Sequence, residues 1–296
     1  MILALGEILF DVFPDYRRLG GAPFNFAFHL KQLGFPVRFV SRVGEDRNGK
    51  EIRAAVKAHG FNPADLQVDS RHATGTVAVS LNDTGVPTFD ILPNVAYDHI
   101  DFTPAVESLI EDCTLIYFGT LIQRTDRGFK NLQSILSARK SNTKCLYDIN
   151  LRPGGYTNQV VRESLIHADL LKLNEEELDV LKSMHDKKRD EDRFVAYLRD
   201  HYAIDVVALT RGHRGSTLFT ADGRFDAATP FVENIVDTVG AGDAFASVLA
   251  AGYLRGLPAP KTLNAATRLA AHLCTVAGAI PDDNDLYADV VQLLER

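Results

Sequence analysis

The stretch DTVGAGDAF, residues 237–245, sets two glycines against an aspartate just before ASVLAAGYL, an apolar run that reads as a helix. Gly240 and Gly242 let consecutive backbone N–H groups turn inward at a helix N-terminus, where donors and helix dipole act together on an anion such as phosphate. Asp243 then lies within that positive end, which should keep its carboxylate ionised at neutral pH and able to accept a proton. The same residues also suit a tight turn that Asp243 merely caps. Turn and anion cradle therefore stand side by side as readings of this segment alone.

Three patterns imitate other chemistry and fail at identifiable positions. Gly44, Gly49 and Lys50 approach a phosphate-binding loop, but Glu51 stands where a Ser or Thr hydroxyl must reach magnesium. Gly240 and Gly242 begin a GxGxxG, yet Phe245 fills the third glycine position and would block the close helix–strand packing of a dinucleotide fold. PDDNDLYAD, residues 281–289, has acids enough for calcium but lacks the glycine and terminal glutamate of a calcium loop, so aspartates capping a helix are expected there. In KLNEEEL, Asn174 and Glu177 have the spacing of a capping box.

The elements that must position these residues show as an alternation. Short apolar runs (ILAL, VRFVSRV, TLIYFG, KCLYDIN, ADLLKLN, DVVALT) take turns with helical patterns such as NFAFHLKQLG and GKEIRAAVKAHG, which predicts a mostly parallel α/β sheet. Gly34, Gly60 and Gly256 follow helical patterns, where a left-handed C-cap favours glycine. Residues 75–92 alternate on both sides of NDTG and predict a hairpin standing off the main sheet; GSTLFTADGRFDAA predicts a second. The mixed run KKRDEDR, residues 187–193, reads as a solvated helix face, and residues 263–281 as an amphipathic helix stopped by Gly278.

Bulk properties set the frame. A chain of 296 residues with 46% hydrophobic and 24% charged residues can bury a substantial core. The net charge of -7 argues against nucleic acid held by bulk electrostatics, while leaving room for a local pocket for one small anion. Three cysteines, Cys113, Cys145 and Cys274, are widely spaced without a CxxC, so neither a disulfide framework nor a zinc site is indicated and a reduced, cytoplasmic setting is expected. MILALGEILF is too short to span a bilayer and lacks a basic signal-peptide start, so it is read as a first buried strand, with no membrane partner.

Two well-separated motifs, and the overall length, make the chain resemble the ribokinase family of sugar kinases, the phosphofructokinase-B type, over essentially its whole extent. The first is GGAPFNFAFHLKQLG at 20–34, followed by Val43 and Gly44. The second is DTVGAGDAFASVLAAG at 237–252, which departs from the family pattern at Val248, where Ala or Gly is usual. The resemblance implies a ribokinase-like three-layer α/β/α domain over 1–296, with a mostly parallel central sheet and a small β-sheet lid at about 11–22 and 74–95. It implies phosphoryl transfer from ATP to a sugar hydroxymethyl group, with Asp243 as catalytic base and the amides of Gly240, Ala241, Gly242 and Asp243 as the anion hole. That decides the opening question for the cradle. Nucleotide contacts follow at Asn174, Thr210, Arg211, Gly212, Gly215 and Gly242. Magnesium and its waters fall to Glu177, a monovalent cation (potassium) to Asp237, and the adenine border to the helix at 263–281.

On the sugar side, GEILFD resembles the segment of fructokinases and ketodeoxygluconate kinases whose aspartate holds sugar hydroxyls, which carries to Asp11. Gly20 and Gly21 would admit the sugar close to the backbone, and Asn25 would touch it unless it caps the helix it opens. YDINLRPGGY adds Asp148, Asn150 and Arg152, although Ile149 stands where the family often has proline, and the chain has no tryptophan. PTFDILPN lacks the tyrosine and arginine that often mark ketodeoxygluconate kinases. The expected substrate is fructose. Ketodeoxygluconate, ribose or a nucleoside are the alternative acceptors, and a non-catalytic sugar-binding regulator is the alternative of another class. A homodimer joined through the lid is expected.

Overall fold

Strands that are apolar at nearly every position need cover on both faces, and this requirement dictates the architecture. The computed structural model describes residues 1–81, 87–185, 190–281 and 285–295. Its strands are β1 (Ile2–Leu5), β2 (Leu9–Val12), β3 (Arg17–Gly20), β4 (Val37–Gly44), β5 (Leu66–Asp69), β6 (Gly75–Leu81), β7 (Pro87–Ile91), β8 (Leu115–Gly119), β9 (Lys144–Asp148), β10 (Leu170–Asn174), β11 (Val206–Thr210), β12 (Ser216–Thr220) and β13 (Gly223–Ala227). Its α-helices are α1 (Ala22–Gln32), α2 (Arg47–Ala58), α3 (Pro104–Asp112), α4 (Asp126–Ser137), α5 (Asn158–His167), α6 (Glu175–Met184), α7 (Glu191–Tyr202), α8 (Ala241–Leu254), α9 (Ala259–Leu273) and α10 (Ala288–Glu295).

Among the described residues the large sheet runs β13-β12-β11-β10-β9-β8-β1-β4-β5. It is parallel from β11 to β5, with β12 and β13 added antiparallel as the second predicted hairpin. Period-2 side-chain alternation divides each strand between two cores. Ile2 and Ala4 of β1 and Leu115 and Tyr117 of β8 pack with α1, α8 and α9. Leu3, Leu5, Ile116 and Phe118 face the other way, toward α4 to α7. The result is the three-layer α/β/α arrangement read from the sequence.

A separate sheet runs β3-β2-β6-β7, with β2 antiparallel to β3, parallel to β6, and β6 antiparallel to β7. The hairpin expected at 75–92 is thus formed and stands off the main sheet, while its NDTG turn lies outside the described residues. Gly34, Gly60 and Gly256 take the left-handed conformation, with φ of 85°, 74° and 65°. One boundary differs from expectation. α9 ends at Leu273, and residues 274–280 form turns and bends, so Gly278 (φ 81°) ends no helix. Of KKRDEDR, residues 187–189 lie outside the described residues; Asp190 caps α7 and Arg193 is exposed. Asp282 and Asp283 of the candidate cap also lie outside them. Among the described residues no helix is long and apolar enough to cross a membrane.

Candidate active site

β1 pairs with β4 on one side and β8 on the other, so the chain departs in both directions from it, and a crevice opens beyond the strand C-termini. A cleft of about 940 Å3 occupies that place. Its floor takes Glu7 from the end of β1, Arg124 beyond β8, Asn150 and Arg152 beyond β9, and Lys172 from β10. Leu9, Asp11, Val77 and Asp90 of the small sheet line it from above, and Gly240, Gly242 and Asp243 close one wall.

That wall is the N-terminus of α8. Gly240 caps it with φ 80°, and a Cβ there would lie 2.4 Å from the Ala279 Cβ. No side chain caps the helix. The Ala241 amide donates to the Thr238 carbonyl at 3.3 Å, which takes it out of the expected anion hole, whereas the Gly242 and Asp243 amides belong to the first turn and have no carbonyl beneath them. A Cβ on Gly242 would stand 2.9 Å from the Lys172 ammonium, so the glycine keeps this cation against the cradle. Val248, the departure from the family motif, is fully buried in α8.

Asp243 is buried and accepts a hydrogen bond from Asn25 Nδ2 at 2.8 Å. The expectation that the helix end keeps it simply ionised needs correction. Burial, then the nearby Asp148 charge, pushes its carboxyl up to about 7, against the pull of Lys172, Asn25 and Arg152. Lost hydration outweighs these favourable partners. Asn25 itself does not cap: α1 begins at Ala22 with Gly21 as its cap, and Asn25 sits a turn inside, with its Oδ1 buried and unpartnered. Its amide links α1 to the base of α8.

Asp148 is fully buried and outside the cleft lining, bound to Lys172 Nζ at 2.9 and 3.1 Å and to the Tyr117 hydroxyl at 3.2 Å. The register explains the pair, because Lys172 and Asp148 are direct neighbours across β10 and β9 and point to the same face. A contact between Asp148 and a sugar is therefore replaced by an ion pair beneath the site. Burial works against the Lys172 charge, but Asp148, Glu177 and Asp243 together hold its ammonium above the ordinary value.

Asp11 projects from β2, and burial raises its carboxyl to about 6 despite the Arg152 charge. Gly20, which pairs with Leu9 on that same strand, would place a Cβ 2.4 Å from Asp11 Oδ2, so this glycine makes room for the carboxylate rather than for a ligand. Gly21 lines the cleft with φ 115°, and a Cβ there would meet the Glu7 carbonyl at 2.4 Å. Asn150 lines the cleft in the left-handed region, φ 39°, which asparagine tolerates. Ile149 beside it is fully buried in the core.

The remaining candidates lie outside the cleft lining. Asn174 and Glu177 form a reciprocal capping box at 2.8 Å each way, and Glu177 Oε1 also accepts the Leu151 N–H at 2.9 Å. Each Glu177 oxygen accepts one N–H and keeps a lone pair for a water, so the residue fits an outer role toward magnesium. Thr210 neighbours Asn174 across β11 and β10. Arg211 is not a free loop cation: Glu191 holds it at 2.5 Å, Thr217 at 2.6 Å, and Glu175 at 3.6 Å. Gly212 has φ 56° and open space where a Cβ would point, whereas a Cβ on Gly215 would press on the Ala227 carbonyl at 2.2 Å. Asp237 accepts from Arg18, Val239 N–H and Gly278 N–H at 2.9, 3.0 and 3.1 Å. The Arg18 guanidinium already neutralises this carboxylate and shares Oδ2 with the Gly278 N–H, so a potassium ion there would meet a fixed positive charge and the residue does not fit the cation role.

Sequence reasoning missed Glu7, Arg124 and Lys172. Lys172 had a signal, being the one charge in LLKLN, the part of the run that has to sit in a doubly covered strand. Glu7 is buried, with burial raising its carboxyl to about 7 and one oxygen unpartnered. Arg124 is bound through two nitrogens to the buried Asp98, at 2.7 and 2.8 Å, across a separation no local pattern reveals.

Comparison with known proteins gives the family and its relatives. The model of the pfkB family carbohydrate kinases matches residues 16–285. A fructokinase of Salmonella typhimurium is 27% identical over 284 residues, covering 92% of this chain and 91% of its own. A 5-dehydro-2-deoxygluconokinase of Geobacillus kaustophilus is 27% identical over 296 residues, covering 95% of this chain and 85% of its own. The structure of a fructokinase with bound ATP from Xylella fastidiosa superposes with a TM-score of 0.83 at 22% identity, covering 99% of this chain and 98% of the other.

Proposed function

Because the chain belongs to the pfkB family of carbohydrate kinases, we propose that it transfers the γ-phosphoryl group of ATP to the exocyclic hydroxymethyl of D-fructose, giving fructose 6-phosphate. The observation that carries this reading is the Asn25–Asp243 pair at an uncapped helix N-terminus, lining the same cleft as Asp11. The amides of Gly242 and Asp243, with the Lys172 ammonium beneath them, neutralise charge on the transferred group. Asp243 orients the attacking hydroxyl and takes its proton as the oxygen–phosphorus bond forms. Glu177 would hold the waters of a bound magnesium, which would add charge neutralisation on the phosphates, while Thr210, Gly212 and the loop through Gly215 border the nucleotide. The small sheet is the lid at about 11–22 and 74–95; its closure excludes water from the acceptor.

Charge favours a neutral polyol. Four carboxyls line the cleft, Glu7, Asp11, Asp90 and Asp243, and of its three cations Arg124 is held by Asp98 and Lys172 by Asp148. Asp11, the free Asn25 oxygen and Asn150 offer acceptors and donors to vicinal hydroxyls, and a missing hydroxyl leaves such groups unsatisfied at about 1–3 kcal/mol each. A sugar acid is the second reading, favoured by Arg152, whose charge acts on Glu7, Asp11 and Asp243. ADP release measured across fructose, ribose, adenosine, ketodeoxygluconate and 5-dehydro-2-deoxygluconate separates them. Fructose should give the highest kcat/KM, and Asp11→Ala should damage fructose use with little change in the KM for ATP. A higher kcat/KM for either acid, or unaltered fructose kinetics in Asp11→Ala, overturns the fructose assignment.

A further inference from the structure

Arg18 lies on β3, directly across from Asp11 on β2, and reaches out of the small sheet to Asp237 in the loop that leads into the α8 cradle. We propose that this guanidinium is the built-in cation of the site: it holds Asp237 in place of a monovalent metal ion and clamps the small sheet to the cradle loop, so that the kinase works without potassium. The donor set around Asp237 carries the first half. Its Oδ2 accepts from both Arg18 and Gly278 and its Oδ1 from Val239, and the guanidinium charge among these three donors would repel a metal ion brought to the same carboxylate. A guanidinium stays charged at every physiological pH and brings its own tether, so no ion has to be recruited from solution.

Geometry carries the second half. The Arg18 guanidinium lies 4.9 Å from the Tyr16 ring and 5.9 Å from that of Phe13, and the two rings stack at 4.4 Å between centroids. The cation therefore sits between an aromatic pair of the small sheet and an acid of the main body. On the far side its stem passes 3.2 Å from the position a Cβ would take on Gly278, the residue whose N–H completes the Asp237 shell. Small sheet, cradle loop and the turn after α9 thus meet at one side chain. Asp11, one strand over, feels the Asp237 charge, so the clamp borders the sugar-facing carboxylate. Arg18 is a positioning residue, acting through Asp237 and the sheet.

The test uses the full chain in chloride salts of potassium, sodium and tetramethylammonium at matched ionic strength. Native protein should melt at the same temperature in all three; a specifically bound ion at about ten times its Kd would raise the midpoint by about 3 °C, and a potassium-specific rise of that size overturns the proposal. Activity should likewise be equal in the three salts, whereas activation by potassium alone overturns it. Arg18→Ala should raise the fructose KM about fivefold while changing kcat less, with recovery by millimolar ethylguanidinium but not by potassium. Unchanged kinetics in Arg18→Ala, or rescue by potassium, contradicts the clamp. The kinetic arm rests on the fructose-kinase reading and the melting arm does not. A native protein inactive on every sugar would count against that reading alone, leaving the salt comparison of melting to decide the cation.

Discussion

Asp243 carries two opposed requirements. A general base must be ionised to accept a proton, yet a base near the operating pH transfers it best, and burial at the foot of α8 places this carboxyl at about 7. The sign of the pH effect follows directly. The productive form is the carboxylate, so kcat/KM should fall about tenfold per unit as pH drops below about 7, and level off above it. A profile flat from about pH 6 to pH 8 would show that Asp243 titrates elsewhere or does not act as the base. Asp148, which helps raise Asp243, is tied by Lys172, and Lys172 in turn lies against Gly242. The ion pair below the cradle thus acts on Asp243 from both sides, Asp148 raising its carboxyl and Lys172 lowering it, while the ammonium lies against Gly242.

At the scale of elements, alternation of strand and helix was readable because the central strands of the parallel sheet are covered on both faces and are therefore largely apolar. ILAL, TLIYFG and DVVALT became β1, β8 and β11 for that reason. The hairpin at 75–92 was equally readable from its period of two, whereas its partnership with the segment of β2 and β3 came only from the family resemblance, since pairing across some sixty residues leaves no local mark. This small sheet exposes Val12 and Tyr16, with Leu92 just beyond β7, and ends in the open edges of β3 and β7. Apolar surface beside an unpaired edge invites a second copy, so a homodimer joined sheet to sheet is expected. Sedimentation at micromolar concentration should give twice the 32.6 kDa of the chain, and charged substitutions at Val12 and Tyr16 should dissociate it. A native monomer, or a dimer indifferent to those substitutions, would contradict this arrangement.

Across the whole molecule, Asn25 and Asp243 come one from each motif, 218 residues apart, and line one cleft together with Asp11. What motif reading could not supply was which side chains satisfy each other first. Asp148, Arg211 and Asp237 have the chemistry of ligand contacts, and each is taken by a protein partner: Lys172, Glu191 and Arg18. Those partners come from other strands and helices, so they are fixed by tertiary packing. The central claim is that the Asn25–Asp243 pair at the head of α8 activates a fructose hydroxyl toward ATP. Its most direct test follows ATP, magnesium and fructose by phosphorus and proton NMR with native protein and Asp243→Asn side by side, alongside calorimetry of fructose binding. The native protein should give fructose 6-phosphate, and the variant should still bind fructose but turn over about two to four orders of magnitude more slowly. Near-native turnover in a folded Asp243→Asn protein, or no phosphate ester of fructose from the native chain, would contradict it.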